Sequence, residues 1–327
     1  MKDIQLCGIG NGLVDLQYEI SFEELTELNF NKGNMCLVDG DIQKKLLEKL
    51  YGKPHNICSG GSAANTIIAF SQFGGKCAYK TLLGNDKYGH FYANEFKELG
   101  IELRAPLIDN KPTGTCVVLI TPDSERTMIT SLGATALFGV NNIDEDLIRR
   151  AEWLYLEGYK LTADSSVEAT YHAIKLAKKH NTKIAFTMSD VFVINSFNEQ
   201  TKQVVEQSDL IFCNESEAKC LTNQEDFESA FIELLKICTN VALTRGEFGS
   251  IIQWDGQRYE IPAYSTVAID STGAGDMYAG GFLYGILNQN SPENAGRLAS
   301  LSASKVVAQL GARLKDNHKL IRDIIYL

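Results

Sequence analysis

A short run of small residues in the C-terminal part of the chain closes on a single carboxylate. It reads Asp270-Ser271-Thr272-Gly273-Ala274-Gly275-Asp276, and apolar residues follow it at helical spacing. Gly273 and Gly275 lack a Cβ, so the backbone can turn sharply there and aim several amide N–H groups at one ligand. A helix start also carries partial positive charge, which suits an anion, and Asp276 can accept the proton of an attacking hydroxyl. The run therefore indicates phosphoryl transfer, although a flexible helix entry is the alternative.

Two polar residues follow the first predicted strand. Asn11 and Asp15 come directly after the apolar run Ile4–Ile9, and open α/β sheets bind their ligands at the carboxyl ends of the strands. An amide and a carboxylate at this edge can bond neighbouring hydroxyls of a sugar. Asn11 also suits a turn and Asp15 a solvated loop, so the pair remains open on these grounds alone.

Two further turns place polar groups where a ligand can bind. Gly60-Gly61-Ser62 precedes a predicted helix containing Asn65, so the backbone can approach a ligand closely, or Ser62 can simply cap the helix. Asn214 and Glu217 follow the apolar residues 210–213, again at a strand end, and there an ordinary capped helix start is the alternative.

Three of these motifs, residues 60–65, 214–217 and 270–276, resemble the signatures of the PfkB, or ribokinase-like, carbohydrate and nucleoside kinases. They occur in that family's order and span most of the chain. The resemblance implies a ribokinase-like three-layer α/β/α sandwich with a mainly parallel central sheet and a small β-sheet lid. It also implies that Asp276 is the catalytic base and that the preceding amides stabilise the charge of the transition state.

Two segments look like the adenosine kinase branch of that family: Gly10-Asn11 with Asp15, and residues 112–116. A nucleoside also needs a flat apolar slot, for which Cys116 and Tyr159 are candidates, although such side chains are more often part of a core. The implied reaction transfers the γ-phosphoryl group of ATP to the 5′-hydroxyl of adenosine, giving AMP and ADP, a purine salvage step. A kinase for ribose, fructose or a related sugar is the alternative.

The motifs and the resemblance together define three sets of candidate site residues. The catalytic set is Asp276, Gly273, Ala274 and Gly275. The substrate-binding set is Asn11, Asp15, Gly61, Asn65, Cys116 and Tyr159. The set for ATP and Mg²⁺ is Asn214, Glu217, Thr244, Gly246, Gly273 and Gly275. No direct protein ligand is assigned to Mg²⁺, which is expected to bind through ATP and water with Glu217 nearby, and a monovalent cation such as K⁺ near Asp270 is left open.

Composition limits the partners that the protein can have. The 327 residues are 44% hydrophobic and carry a formal net charge of −10 with a pI near 5.1, which argues against nucleic acid or membrane binding by bulk electrostatics. The eight cysteines form no C-x-x-C pair, and no run is long enough for a membrane span or a signal peptide, so a cytoplasmic protein is expected. The expected ligands are ATP and a small nucleoside or sugar, and both a monomer and a homodimer remain open.

Other nucleotide-binding classes fit the sequence less well. Gly8-Ile9-Gly10-Asn11-Gly12 follows a strand, but Leu13 and Asp15 stand where the dinucleotide fingerprint needs its last glycine, which disfavours a nicotinamide oxidoreductase. The phosphate-loop motif G-x-x-x-x-G-K-S/T is absent. A catalytically silent ligand-binding regulator on the same scaffold remains an alternative, although Asp276 and both glycines argue against it.

The predicted elements alternate between strands and helices for most of the chain, which favours a parallel sheet flanked by helices. Residues 1–16, 38–106 and 133–327 are assigned to a large α/β domain, and residues 17–37 and 107–132 to a small β lid. Two hairpins are predicted, one turning at residues 122–125 and one at Asp255-Gly256. A helix ending at Gly100 and a capping box formed by Ser165 and Glu168 are also predicted.

Overall fold

The structure is a computed structural model that describes residues 1–123, 125–315 and 321–322. Its strands are β1 Ile4–Ile9, β2 Leu13–Glu19, β3 Met35–Leu37, β4 Asn56–Gly60, β5 Cys77–Lys80, β6 Leu83–Gly84, β7 Glu102–Arg104, β8 Leu107–Ile108, β9 Gly114–Ile120, β10 Arg126–Ser131, β11 Ala151–Glu157, β12 Lys183–Thr187, β13 Leu210–Asn214, β14 Val241–Thr244, β15 Ser250–Trp254 and β16 Gln257–Ile261. Its α-helices are α1 Phe22–Leu28, α2 Gly40–Lys49, α3 Ser62–Gln72, α4 Lys87–Glu98, α5 Glu145–Arg150, α6 Asp164–Lys179, α7 Val191–Ser196, α8 Asn198–Val205, α9 Glu215–Thr222, α10 Phe227–Ile237, α11 Ala274–Leu287 and α12 Pro292–Val307. Short 3₁₀ turns cover Gly133–Leu137, Val140–Asn142, Gly158–Thr162 and Gly246–Phe248.

A nine-stranded sheet forms the centre of the molecule, in the order β16-β15-β14-β13-β12-β11-β1-β5-β7. The strands from β14 to β7 pair in parallel, β15 pairs antiparallel with β14, and β16 pairs antiparallel with β15. Side chains alternate between the two faces of each strand, so each strand contributes residues to the hydrophobic layers on both faces of the sheet. In β11, Trp153 and Tyr155 pack on one side, and Leu154 and Leu156 on the other.

Helices cover both faces of this sheet. Helices α3, α4, α11 and α12 contribute buried residues to one layer, and α5, α6, α8, α9 and α10 contribute to the other. The three-layer α/β/α sandwich with a mainly parallel sheet is therefore confirmed. None of the helices in the described ranges combines the length and the apolar character that crossing a membrane requires.

A separate five-stranded sheet, in the order β3-β10-β9-β2-β4, forms the lid. Helices α1 and α2 cover one of its faces, where Leu25 and Leu46 are buried. The Gln43 amide of α2 donates to the carbonyls of Thr115 and Ile129 at 2.9 and 3.0 Å, which fixes the helix to the central strands. The other face of the lid is directed towards the main sheet, where Cys116 and Thr130 line a cavity.

The lid sheet contains more of the chain than residues 17–37 and 107–132. Strand β2 already begins at Leu13, and β4, at residues 56–60, pairs with it in antiparallel fashion. Both segments lie in ranges that the sequence patterns assign to the large domain, because an edge strand that returns to its sheet after two helices has no local pattern. The lid therefore also includes residues 13–16 and 56–60.

The local predictions have mixed outcomes. The hairpins β9–β10 and β15–β16 are confirmed, and helix α4 ends directly before Gly100, whose φ is +70°. The predicted capping box is wrong, because Ser165 and Glu168 lie inside helix α6, whose first residue is Asp164 and which has no side-chain cap.

Helices α3 and α11 approach each other closely, and this contact requires a glycine. A Cβ added at Gly280 would lie 2.6 Å from the Cβ of Ala69 and 2.8 Å from the carbonyl oxygen of Thr66. We predict that Gly280→Ala lowers the free energy of unfolding by about 1–3 kcal/mol, the usual cost of overpacking a close-packed core, as measured by urea denaturation.

Gly40→Ala is the matched control, because Gly40 is also helical and nothing lies within 4 Å of the position that a Cβ would take there. That variant should be neutral or more stable by up to about 1 kcal/mol. Equal stability of the Gly280→Ala protein and the wild type would contradict the close packing described for α3 and α11.

Candidate active site

The carboxyl ends of five adjacent parallel strands open into one cavity beneath the lid. Its volume is about 480 Å³, and the last residues of these strands or the residues just after them line it. They are Asn11 after β1, Glu157 in β11, Thr187 in β12, Asn214 in β13 and Thr244 in β14. This edge is where open α/β sheets bind ligands, and the volume lies in the range of small-molecule sites.

Asp276 lies in the first turn of α11, on the wall of this cavity. Its carboxylate accepts hydrogen bonds from the Ser62 hydroxyl at 2.7 Å and from the Asn65 amide at 3.1 Å. Both donors lie at the start of α3, so the packing of α3 on α11 holds the carboxylate in place. Desolvation raises the pKa of Asp276 to about 6, against the lowering effect of its two hydrogen bonds.

The turn before Asp276 has the geometry of an anion cradle. Gly273 has a φ of +75°, and a Cβ there would lie 2.3 Å from the Cβ of Ala312, so only glycine fits. The Ala274 N–H donates to the Ser271 carbonyl at 3.2 Å. Gly275 is exposed with nothing within 4 Å of its Cβ position, so its amide, like others of a first helical turn, is free for a ligand.

Asp15 faces the same cavity from strand β2 of the lid sheet. Its carboxylate lies against Gly60, where a Cβ would be only 2.4 Å from Oδ1. No side-chain hydrogen bond is found for it in the described part of the chain. Burial raises the pKa of Asp15 to about 7, although Arg313 and Arg126 oppose this shift.

Hydrogen bonds hold the backbone N–H, the backbone carbonyl and the side-chain oxygen of Asn11. Its backbone N–H donates to Glu157 at 2.8 Å and its carbonyl accepts from the Tyr79 hydroxyl at 3.1 Å. Its Oδ1 accepts from Thr135 and from Lys160, both at 3.1 Å. The residue is 5% exposed and lines the cavity.

Glu157 also supports the start of α3. It accepts the Ala63 N–H at 2.7 Å, next to Gly61, whose φ is +103° and whose Cβ would lie 2.2 Å from the Asn11 carbonyl oxygen. Complete burial raises the pKa of Glu157 to about 7, and its two backbone hydrogen bonds oppose the shift. These contacts bring β1, β11 and α3 together at one point.

Asn214 and Glu217 form a reciprocal cap at the start of α9. The Asn214 side chain accepts the Glu217 N–H at 2.9 Å, and Glu217 accepts the Asn214 N–H at 3.0 Å and its side-chain amide at 2.8 Å. The capped helix start is therefore present, and both residues also line the cavity. Desolvation raises the pKa of Glu217 to about 7.

Two arginines connect the lid to the C-terminal segment and the anion turn. Arg126 of β10 forms a buried ion pair with Asp270, which also accepts the N–H groups of Thr272 at 2.9 Å and Gly311 at 2.7 Å. Arg313 forms an ion pair with Glu95 of α4 and donates to the Ser59 carbonyl of β4 at 2.5 Å. The carboxylate considered for a monovalent cation is thus already paired with an arginine.

The cavity brings together most of the candidate residues. Those among its lining are Asn11, Asp15, Gly61, Asn65, Cys116, Tyr159, Asn214, Glu217, Thr244, Gly273, Gly275 and Asp276. Ala274 and Gly246 are not among them: the Ala274 amide is used within the turn, and Gly246 lies in the 3₁₀ turn after β14. Within the described ranges, no cluster of three or more metal-ligating side chains is found.

Sequence reasoning missed three residues of the site. Ser62, expected at most as a helix cap, donates to Asp276 instead, and Gly61 occupies the cap position. Glu157 and Lys160 belong to no motif, although an acid that ends a buried strand and a lysine three residues later are unusual neighbours for a core. Their roles depend on contacts with residues more than 140 positions away along the chain.

The chain is similar in structure and in sequence to proteins described as kinases. The structure superposes on the crystal structure of adenosine kinase from Sinorhizobium meliloti with a TM-score of 0.92, 30% identity and 99% coverage of both chains. It superposes on a protein described as a probable sugar kinase from Rhizobium etli with a TM-score of 0.93, 29% identity and 99% coverage of both chains. By sequence, it is 26% identical to adenosine kinase of Saccharomyces cerevisiae over 94% of this chain and 95% of the yeast protein.

The family model described as pfkB family carbohydrate kinase matches residues 48–319, which include all three motifs and the cavity walls they form. Since the match covers most of the chain, the protein belongs to the pfkB family of carbohydrate kinases and is an ATP-using phosphotransferase with an alcohol group as acceptor.

Proposed function

We propose that the protein transfers the γ-phosphoryl group of ATP to the 5′-hydroxyl of adenosine. The observation that carries this proposal is an apolar half of the cavity next to the polar pair Asn11 and Asp15. Lid side chains make up that half, and they are Leu13, Met35, Leu37, Met128 and Leu132. A free sugar has only small C–H faces to bury there, whereas a purine presents a wide, flat apolar face.

The ribose fits the polar part of the same cavity. The Asp15 carboxylate has no hydrogen-bond donor among the described side chains and can accept from one hydroxyl, while Asn11 is available to a second. Cys116 lies directly beside Asp15 on the neighbouring strand β9, and Tyr159 also lines the cavity, so both remain the candidates to contact the base.

Asp276 is the group that accepts the proton from the 5′-hydroxyl as that oxygen attacks phosphorus. The hydrogen bonds from Ser62 and Asn65 orient its carboxylate, and a pKa near 6 keeps it ionised at neutral pH. The amides of Gly273 and Gly275 are placed to stabilise the negative charge on the phosphoryl oxygens. Thr244 and Asn214 line the nucleotide side of the cavity.

The charge of the cavity supports a role for Mg²⁺ with the nucleotide. Asp15, Glu157, Glu217 and Asp276 all line it, and this carboxylate-rich surface repels an uncompensated triphosphate. A divalent cation neutralises the phosphate oxygens when bound, and Glu217 with Asn214 is the oxygen-bearing pair available to hold its water shell. The side chain of Asp270 does not support a requirement for K⁺, because it is already paired with Arg126.

The experiment that tests the proposed function is an acceptor panel with ATP and Mg²⁺, read out as ADP formation. We expect the highest kcat/KM with adenosine and AMP as the product. Preferred turnover of ribose, fructose or another free sugar would reject the adenosine assignment in favour of a sugar kinase. Absence of ADP formation with every acceptor would favour a ligand-binding protein without activity.

We predict that Asp276→Asn lowers kcat by about 10²–10⁴-fold, the usual contribution of a positioned general base. The amide is similar in size and can still contact Ser62 and Asn65, so the melting temperature should change little. Asp41→Asn serves as control, since Asp41 is exposed on α2 and should leave kcat unchanged. An Asp276→Asn enzyme with more than about a tenth of the wild-type kcat would contradict the assigned role.

The raised pKa of Asp276 also predicts a pH dependence. Above pH 6 the carboxylate is ionised and can accept a proton, and below pH 6 it is protonated and cannot. We therefore expect log kcat/KM, which reports the free enzyme, to show a limb with a pKa near 6 that falls with decreasing pH. The residual activity of Asp276→Asn should lack this limb, and an unchanged limb in that variant would assign it to another group.

A further inference from the structure

Lys160 is a buried charged residue that the mechanism above does not use. Its side chain is 1% exposed, and it interacts electrostatically with the buried Glu157 carboxylate without forming a direct salt bridge. The ammonium lies 4.3 Å from the centroid of the Phe138 ring, and burial lowers the pKa of Lys160 to about 8, while Glu157 opposes this shift. Because a buried ammonium is costly unless it is paired and hydrogen-bonded, its hydrogen bond to Asn11 is the contact that the charge interaction with Glu157 leaves to explain.

That hydrogen bond determines which way round the Asn11 amide is held. An ammonium group only donates, so the atom of Asn11 that it contacts at 3.1 Å must be the oxygen. Thr135 occupies a second acceptor position of the same oxygen, and the backbone N–H and carbonyl of Asn11 are bound by Glu157 and Tyr79. The Nδ2 group is therefore the one polar group of Asn11 for which the described residues offer no partner.

Asp15, which lines the same cavity, has the opposite polarity. Above its raised pKa of about 7 the Asp15 carboxylate is ionised and only accepts, whereas the fixed Asn11 Nδ2 only donates. The two side chains therefore bind a diol in only one hydrogen-bonding arrangement. One hydroxyl accepts a hydrogen bond from Asn11, and its neighbour donates one to Asp15. A freely rotating asparagine would offer its oxygen as readily and lose this discrimination.

We propose that Lys160 is a positioning residue that, together with Thr135, holds the Asn11 amide with Nδ2 towards the acceptor and so sets the selectivity for a hydroxyl at that position. This inference deepens the proposed function and rests on it only for the identity of the diol, which is the ribose of adenosine.

The test compares Lys160→Met with wild type on adenosine, 2′-deoxyadenosine and 3′-deoxyadenosine. One of the two analogues lacks the hydroxyl that Asn11 contacts. We expect Lys160→Met to raise KM for adenosine about fivefold to tenfold, to leave KM for that analogue within about twofold, and to change kcat little. The preference for adenosine over that one analogue should therefore nearly disappear, while the preference over the other persists.

Lys80→Met is the matched control, because Lys80 is also a buried lysine, at 6% exposure, but among the described hydrogen bonds it is Lys160 and not Lys80 that donates to Asn11. It should leave all three KM values within about twofold. A structural role for Lys160 would instead raise KM equally for adenosine and both analogues, and that result, or no change in any KM, would overturn the proposal.

Two further measurements keep the proposal testable if Lys160→Met folds poorly. Thr135→Val removes the second donor to the same oxygen with little change in shape, and it should change selectivity in the same direction. In an Asn11→Ala background neither substitution should alter KM further, because both act through Asn11. If the panel finds a sugar rather than adenosine as acceptor, the proposed function fails, and the same comparison with that sugar and its deoxy analogues still decides the role of Lys160.

Discussion

The close contact between helices α3 and α11 is the constraint on which the site depends. Glycine at position 280 lets the helix backbones approach, and their first turns then meet over the cavity. Ser62 belongs to one helix start and Asp276 to the other, so the same contact that builds the core also orients the Asp276 carboxylate. A larger side chain between the helices would move Ser62 away from Asp276 and break their hydrogen bond, because close-packed interiors do not deform smoothly.

Burial raises the pKa of four carboxylates at the site, but these carboxylates make different contacts. Asp15, Glu157, Glu217 and Asp276 each have a raised pKa, with desolvation as the largest cause in every case. Strand ends that converge under a lid exclude water from their polar residues, and this makes carboxylates more basic. Glu157 is fully buried and accepts two backbone amides, whereas Asp276 is partly exposed and accepts from the side chains of Ser62 and Asn65. Exposure and hydrogen-bond partners, rather than residue type, distinguish these two acids.

Much of this arrangement could be predicted from local sequence patterns. Periodicity indicates the parallel α/β alternation and both hairpins, and the glycines before Asp276 indicate the anion turn, because turns and helix starts depend on nearby residues. The assignment of β4 to the lid could not be predicted, since its pairing with β2 joins residues that lie far apart along the chain. The local pattern of Glu157 and Lys160 is unusual for a core, but their roles could not be predicted for the same reason: their partners include Asn11, which follows β1. Ser165 and Glu168 match a capping pattern, but the fold places both inside a helix.

The groups of the active site are widely spread along the chain, and this affects its biosynthesis. Asn11 and Asp15 are synthesised early. The anion turn and Ala312, which packs against Gly273, are the last of these groups to be synthesised. A chain interrupted before residue 270 therefore contains Asn11 and Asp15 but neither the glycine turn nor Asp276. The lining of the cavity is complete only when the late-synthesised helix α11 docks on the earlier sheet.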